Sequence, residues 1–461
     1  MAPRSTGVTD DMPSGAPRRH GRWAPWLPIV GFGVMVVGAG LVAGRPVAAA
    51  SPAGDVHTHG GVRPVRAVPR APDREAWIAL EARAATVPAS ATGPWQIAID
   101  SGRRRFVTGE GGERWRIERR GLRLRVAGDG SDATPWRDGP FVARPRDAGS
   151  VIDVRGTRYR GELWFTATDS GILVVNRVPV EDYLRGVVPL ELGSRDLGDL
   201  AALEAQAIAA RSYAYTRVSP AGSPPPAGGW HMTATVQFQR YGGADVEHPV
   251  VNRAVDATAG LVLRFGNRVI DAPYCSACGG RTAGAREAWR EARDRPWLQP
   301  VDDIDPRTGR PYCDLSPRNR WRAEISQSVI GAAVERTLRN AGATTVRPVT
   351  IHGVRVGERL PSGRAGSLVV GTDRGEVRIG THTLRDLLRD ARGAALASTY
   401  FSVVQEARAG GRLDHVTLDG VGYGHGVGMC QWGAIGRARA GASARAILWH
   451  YYPGTTVGLV E

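Results

Sequence analysis

The chain is 461 residues long, 42% hydrophobic, and carries a formal net charge of +15. That length and apolar content exclude a disordered or collagen-like chain and allow more than one domain around a sizeable core. Its Lys+Arg count of 60 is wholly Arg, scattered without a long tract or a nucleic-acid motif, which points away from nucleic acid and towards anionic wall polymers or a membrane surface.

In chain order, Arg18, Arg19 and Arg22 precede an apolar stretch over residues 23–44, and Ala48 and Ala50 in "VAAAS" suit a small-residue cleavage site. Residues 1–50 therefore read as an export signal peptide. An uncut N-terminal membrane anchor is the rival, because about 20 apolar residues can span a bilayer. Either reading puts the rest of the chain outside the membrane, secreted or extracytoplasmic. Residues 51–79, rich in Pro, Gly, Ala and His, read as a linker.

From Trp95 to Val178 the signals are short alternating runs such as "WQIAID", "RWRIERRGLRLRV" and "YRGELWFTAT", punctuated by Gly and Asp. That period of two predicts antiparallel sheet with tight turns. Residues 80–145 read as a small β-rich module or an N-terminal layer, and residues 146–461 as the main domain. In "VPVEDYLRGVVPLEL" a short helix is expected to end before Pro189, and "LAALEAQAIAARSYAYTR", Leu200–Arg217 with seven Ala, is a strong helix. Arg211 lies near the packed stripe of that helix and needs a partner. Further helices are expected from near Pro249, over Val329–Asn340, over Leu384–Arg389, and after a Ser443 cap, with a hairpin turning at Gly266 and Asn267. The overall class is α+β, mixed helices and antiparallel sheet.

Four Cys (Cys275, Cys278, Cys313, Cys430) in an exported chain point to disulfides, with three pairings open. Cys275 and Cys278 form a C-x-x-C. With no second C-x-x-C and no βαβ pattern around it, no cofactor is expected; zinc at Cys275 and Cys278, completed by Cys313, Cys430 or a His, is the alternative. Near the C-terminus, "GYGHGVGMCQWGA" sets Gly422, Gly424, Gly426 and Gly428 at every second position. No G-x-G-x-x-G opens a helix after a strand there, which excludes a dinucleotide loop. The run reads as an extended cleft wall whose bare glycine edge lets a ligand or the block around Glu191 come close, while His425 and Gln431 supply polar contacts.

Several blocks then coincide in order: "VPVEDYLRGVVPLELGS", "LEAQAIAARSYAYTR", "QRYGG", "YCSACGGRT", "RPWLQPVDDIDP", "SPRNRW", "STYFSV", "GYGHGVGMCQWGA" and "ILWHYYPGT". Over roughly residues 155–458 the chain resembles the SpoIID/LytB family of bacterial cell-wall proteins; residues 80–145 resemble nothing that can be named. The resemblance implies a lytic transglycosylase that cuts peptidoglycan glycan strands and leaves 1,6-anhydro-MurNAc ends. The family's catalytic acid falls at Glu191, followed here by Leu192 where the family usually has Met. Read from the residues alone, Glu191 sits between Leu190 and Leu192 after Pro189, an apolar setting that raises a carboxyl pKa. The plain structural reading is a first-turn Glu of the next helix.

Gln206 and Arg211 match the family's helix block as sugar-binding or orienting residues, an ion pair being the other role for Arg211. Tyr213 offers an aromatic wall or packs in the core, and Ser276, Gly279 and Gly280 fall in the glycine-rich cleft block. Cys275 stands where many relatives carry His and Cys430 where many carry Ser, which favours the pairs Cys275–Cys430 and Cys278–Cys313. Implied partners are glycan strands, a wall amidase, and anionic wall polymers. Alternative functions are a non-catalytic amidase enhancer, a wall-polymer-binding protein, and a hydrolase using Ser276 and His425. A second carboxylate, if one is used, would come from Glu181, Asp182, Asp302, Asp303 or Asp305.

Overall fold

A computed structural model describes residues 74–80, 83–99, 102–128, 133–193, 195–220, 223, 228–293, 295–409 and 412–460. The expected signal or anchor and most of the linker lie outside them. The alternating runs after residue 74 are strands, and they form two sheets. The first has the order Met232–Thr233, Glu75–Leu80, Gly171–Pro179, Glu162–Thr168, Phe141–Pro145, Trp95–Ile99, Arg104–Gly109. The second runs Thr157–Tyr159, Ile152–Val154, Thr86–Ala91, Trp115–Arg120, Arg123–Gly128, Arg137–Asp138. Alternation sets the faces: Leu163 and Phe165 of "ELWFTAT" point inward and are fully buried. Both sheets feed one apolar core, joined by the Trp95 and Trp115 rings at 4.4 Å.

Two expected boundaries fall inside this sheet. Glu75–Leu80 pairs along its whole length with Gly171–Pro179, so strand begins before residue 79. Phe141–Pro145 pairs with both Glu162–Thr168 and Trp95–Ile99, so residues 80–145 share a sheet with strands that lie beyond residue 145.

The strand Gly171–Pro179 runs directly into helix α1 (Val180–Leu192), whose first turn carries Glu181 and Asp182, as the helix dipole favours. This helix does not stop before Pro189. Pro189 lies inside it, and the buried Tyr183, Leu184, Val187, Val188 and Leu192 hold the last turn in place although the proline supplies no N–H. Glu191 is thus in the final turn of α1, not the first turn of the next helix.

Helix α2 (Leu200–Tyr215) is buried on nearly every side, because its alanines let neighbours close in all round rather than on one stripe. It packs against α1, α3 (Pro249–Ala257), α7 (Gln431–Arg439) and α8 (Ala444–Tyr451). Between these come α4 (Ala285–Ala288), α5 (Gln327–Asn340) and α6 (Thr381–Leu387). Helix α8 starts on the expected Ser443 cap; α5 starts two residues before expectation because Ser326 caps it. The hairpin Leu261–Phe265 to Arg268–Val269 turns at Gly266 and Asn267 and takes Thr456–Leu459 as its third strand.

A lobe over residues 320–421 has its own core, including Ile325, Ile330, Val354, Leu368, Phe401 and Leu418. Its first and last residues face each other, Arg320 opposite Val421, so it leaves and rejoins the chain at one point. No helix among the described residues is long and apolar enough to cross a membrane.

Arg211 of α2 is 0% exposed. Its Nε and Nη2 donate to Glu181 at 2.8 and 2.7 Å, its Nη1 to the Leu261 carbonyl at 3.0 Å, and its Nη2 also to the Val255 carbonyl at 3.3 Å. One guanidinium therefore ties α1, α2, α3 and the hairpin together, and Arg211 is an internal anchor rather than a sugar ligand. Glu181→Gln should lower stability by about 3 kcal/mol, because it strands a buried cation. A denaturant midpoint measures this; a loss under about 1 kcal/mol, as an exposed pair gives, contradicts it.

Candidate active site

The glycine run is not extended. Gly422, Gly424, Gly426 and Gly428 have φ of 80, 106, 81 and 72°, all left-handed. Their bare edge packs on protein: a Cβ on Gly422 would meet the backbone of Ala277 and Cys278, and one on Gly428 would sit on the Pro273 carbonyl. Tyr423 bridges Ala277 and Val427 bridges Ala283. The run is thus one side of a seam whose other side is residues 273–283. The seam ends in a two-stranded parallel pair, Tyr274 with Met429 and Cys275 with Cys430, and Cys430 caps α7 by accepting the Gly433 N–H.

That cap sets Gln431 at the first position of α7. Gln431 Nε2 lies 3.5 Å from Glu191 Oε2 and 3.4 Å from Gln206 Oε1. Three expected site residues, far apart in sequence, therefore meet where α1, α2 and α7 converge. Glu191 Oε1 accepts the Arg240 backbone N–H at 2.9 Å. Gln206 is fully buried, and its Nε2 has no hydrogen-bond partner.

Burial raises the Glu191 pKa above the ordinary 4.5, while the Arg240 N–H and Gln431 act in the opposite direction. Its place in the last turn of α1, at the negative end of the dipole and with no basic residue in that turn, further disfavours the charge. Burial also pushes the Tyr183, Tyr213 and Tyr274 hydroxyls up, and the Glu191 charge adds to each. Gln239 bridges two of them, accepting from Tyr183 at 3.2 Å and donating to Tyr274 at 2.9 Å. Tyr213 is half-buried with the Arg217 guanidinium 3.3 Å over its ring. Tyr274, Gln239 and Arg240 were not expected from the sequence, although "QRYGG" and "YCSACGGRT" hold Arg240 and Tyr274 and Gln239.

The other expected residues have structural roles. Gly279 and Gly280, both with positive φ, face Val421 and the Ile304 and Pro311 side chains, so they admit protein rather than a glycan. The Ser276 carbonyl accepts the Trp432 N–H at 3.1 Å. His425 is held neutral, its pKa pushed down to about 4, chiefly by burial and then by the Arg385 charge; its Nδ1 accepts the Val427 N–H at 3.1 Å and its ring lies 5.1 Å from Trp289. Among the described residues Ser276 and His425 share no hydrogen bond, which removes the geometry of a Ser–His nucleophile.

Each candidate second carboxylate has a cationic neighbour: Glu181 has Arg211, Asp182 has Arg185, Asp302 has Arg281, Asp303 has Arg437, and Asp305 has Arg307. The expected disulfides are not formed. All four Cys are free and buried; Cys275 is opposite Cys430 and Cys278 is 3.9 Å from Cys313, which is sulfur contact and not a bond near 2.05 Å. In the 320–421 lobe a groove of about 780 Å³ opens between Arg320, Trp321, Arg322, Arg359 and Tyr400.

Residues 168–265 match the family described as Stage II sporulation protein (SpoIID), and residues 313–428 match a domain of unknown function, DUF8618. The chain is 30% identical over 302 residues to the amidase enhancer of Bacillus subtilis, covering 59% of this chain and 40% of that protein. It is 28% identical over 294 residues to Stage II sporulation protein D of Bacillus amyloliquefaciens, covering 61% and 75%. An uncharacterized protein of Brachyspira hyodysenteriae is 28% identical over 306 residues, covering 66% and 73%.

A raised folded-state pKa makes protonation of Glu191 stabilising: that contribution is present below 4.5 and lost as pH climbs through the folded value. Glu191→Gln, which has no charge to bury, should match wild type near pH 4 and gain on it towards pH 7, measured as thermal midpoints. A variant less stable than wild type at neutral pH would contradict the assignment of a disfavoured charge.

Proposed function

The chain belongs to the SpoIID family, and on that premise we propose that it is an exported peptidoglycan lytic transglycosylase acting on the MurNAc–GlcNAc bonds of glycan strands through Glu191. The observation that carries this reading is the half-buried carboxyl in the last turn of α1, held by one backbone N–H and one amide, with its charge disfavoured. Breaking a glycosidic bond calls for a carboxylic acid that keeps its proton above the ordinary carboxyl range, and burial shifts Glu191 in that direction. The name of the amidase enhancer relative supports a role at the cell wall, and the N-terminal export pattern supports action outside the cytoplasm.

In the proposed reaction Glu191 gives its proton to the glycosidic oxygen as the bond from that oxygen to MurNAc C1 breaks. The resulting carboxylate then takes the proton of the sugar's own C6 hydroxyl while O6 bonds to C1. One carboxyl thus returns to its starting state, the leaving GlcNAc gains a hydroxyl, and the MurNAc end closes to the 1,6-anhydro form. Neither water nor a second carboxylate takes part, in keeping with the candidate acids each having a cation beside it. Gln431 orients Glu191, and the fully buried Gln206 holds Gln431 in turn by accepting from its Nε2.

A second reading, an amidase enhancer that contacts the wall without cutting it, is favoured by the similarity to the protein of that name and by the Arg-lined groove of the 320–421 lobe. Incubating the purified chain with peptide-stripped glycan and analysing the products by mass spectrometry separates the two. Anhydro ends should form, and Glu191→Gln should lower their rate by roughly 10²- to 10⁴-fold. Wild type that yields no anhydro ends, or a variant that yields as many, rejects the enzyme; faster amidase cleavage without anhydro ends selects the enhancer.

A further inference from the structure

Behind the seam, 0% exposed, lie three thiols and a carboxylate: Cys278, Cys313, Cys430 and Asp303. Their ligand atoms all fall within 4.8 Å of one another. Cys278 Sγ is 3.9 Å from Cys313 Sγ and 3.4 Å from Asp303 Oδ2. A tetrahedral zinc with bonds near 2.3 Å to sulfur and 2.0–2.2 Å to oxygen sets its ligands about 3.5–3.8 Å apart. The observed separations bracket those edges. We propose that Cys278, Cys313, Cys430 and Asp303 form a structural zinc site.

The surroundings are those a thiolate site needs. Cys430 Sγ accepts the Cys278 N–H at 3.2 Å and the Gly433 N–H at 3.3 Å, so backbone donors already point at the sulfur. Asp303 divides its two oxygens: Oδ1 accepts the Arg437 Nε at 2.9 Å, and Oδ2 is the one facing Cys278. Arg437 therefore fixes the carboxylate's orientation and offsets part of the negative charge gathered there. The four ligands come from the C-x-x-C loop, the turn after residue 300, the 3₁₀ turn Tyr312–Leu315 just before the lobe, and the cap of α7. Four protein ligands close the site, which marks it as structural rather than catalytic.

The alternative in an oxidising compartment is a disulfide. Three clustered thiols cannot all pair within the cluster, whereas a metal uses every one of them. Cys275 lies outside the group although it faces Cys430 across the seam, so a Cys275–Cys430 disulfide would remove a ligand and excludes the zinc site. The ligand set thus differs from one built on the C-x-x-C pair, of which it takes only Cys278. The site stands apart from the glycan-cleaving reading, and its test reads metal, not activity.

The full exported chain, purified without chelator, should carry one zinc by mass-spectrometric metal analysis. After stripping, one equivalent of Co²⁺ should give thiolate-to-cobalt charge transfer and the d–d bands of a tetrahedral site. Cys313→Ser and Asp303→Asn should lose that spectrum, Cys275→Ser should keep both spectrum and zinc, and Arg437→Gln should bind about 10- to 100-fold more weakly. Peptide mapping showing Cys278–Cys313 or Cys275–Cys430 disulfides in a zinc-free chain overturns the proposal, as does loss of zinc on Cys275→Ser. If a ligand variant fails to fold, the wild-type cobalt spectrum and disulfide map decide alone.

Discussion

The seam between residues 273–283 and 422–430 is the constraint on which the rest of the molecule depends. Two of its left-handed glycines let two irregular segments lie closer than side chains would allow: a Cβ on Gly422 would press on the Ala277 carbonyl, and one on Gly428 would occupy the place of the Pro273 carbonyl. That closeness fixes the register of Cys275 against Cys430. From Cys430 onward everything is set by helix geometry: α7 starts, Gln431 turns towards Glu191 and Gln206, and the Cys430 sulfur faces Cys278 and Cys313. One packing line therefore serves two places, a carboxyl on one side and a buried thiol cluster on the other.

Glu191 is positioned by what its neighbours withhold. An anionic side chain gains from a cation, a helix N-terminus or water, and here it has the C-terminal turn of α1 and partial burial, offset in part by the Arg240 N–H, Gln431 and the Arg240 charge. Arg211, which pairs with the first turn of the same helix, shows the opposite treatment. It is fully buried, yet each of its arms meets a carboxylate or a carbonyl, so its charge is wholly compensated and it carries structure. Arg211 and Glu191, on two helices that pack together, thus differ in how far their charges are compensated, the first fully and the second in part.

The α+β class, the strands between Trp95 and Val178, the α2 helix, the Gly266–Asn267 hairpin and the Ser443 cap were legible because each rests on local periodicity or turn chemistry. The passage of α1 through Pro189 was not, since burial of its flanking residues overrode a local breaker. The glycine run misled for a related reason: alternation suggests a strand, but four positive φ values answer to a tertiary contact absent from the local sequence. Of the candidate site, Glu191, Gln206 and Gln431 were expected from ordered blocks and the structure brings them together, while Arg240 joins them through a backbone N–H and Tyr274 through position, which residue type does not reveal. The separate core of the 320–421 lobe was hidden because its strands and helices continue the same α+β texture.

The central claim of the proposed function is that a glycan strand meets this chain at Glu191. A structure of the Glu191→Gln variant with a peptide-stripped glycan bound tests that most directly. One MurNAc–GlcNAc glycosidic oxygen should lie about 3 Å from the side-chain amide at position 191, with Gln206 and Gln431 beside it. A glycan seated only in the Arg-lined groove of the 320–421 lobe, with no glycosidic oxygen in hydrogen-bond reach of position 191, would contradict the assignment of Glu191 as the acid.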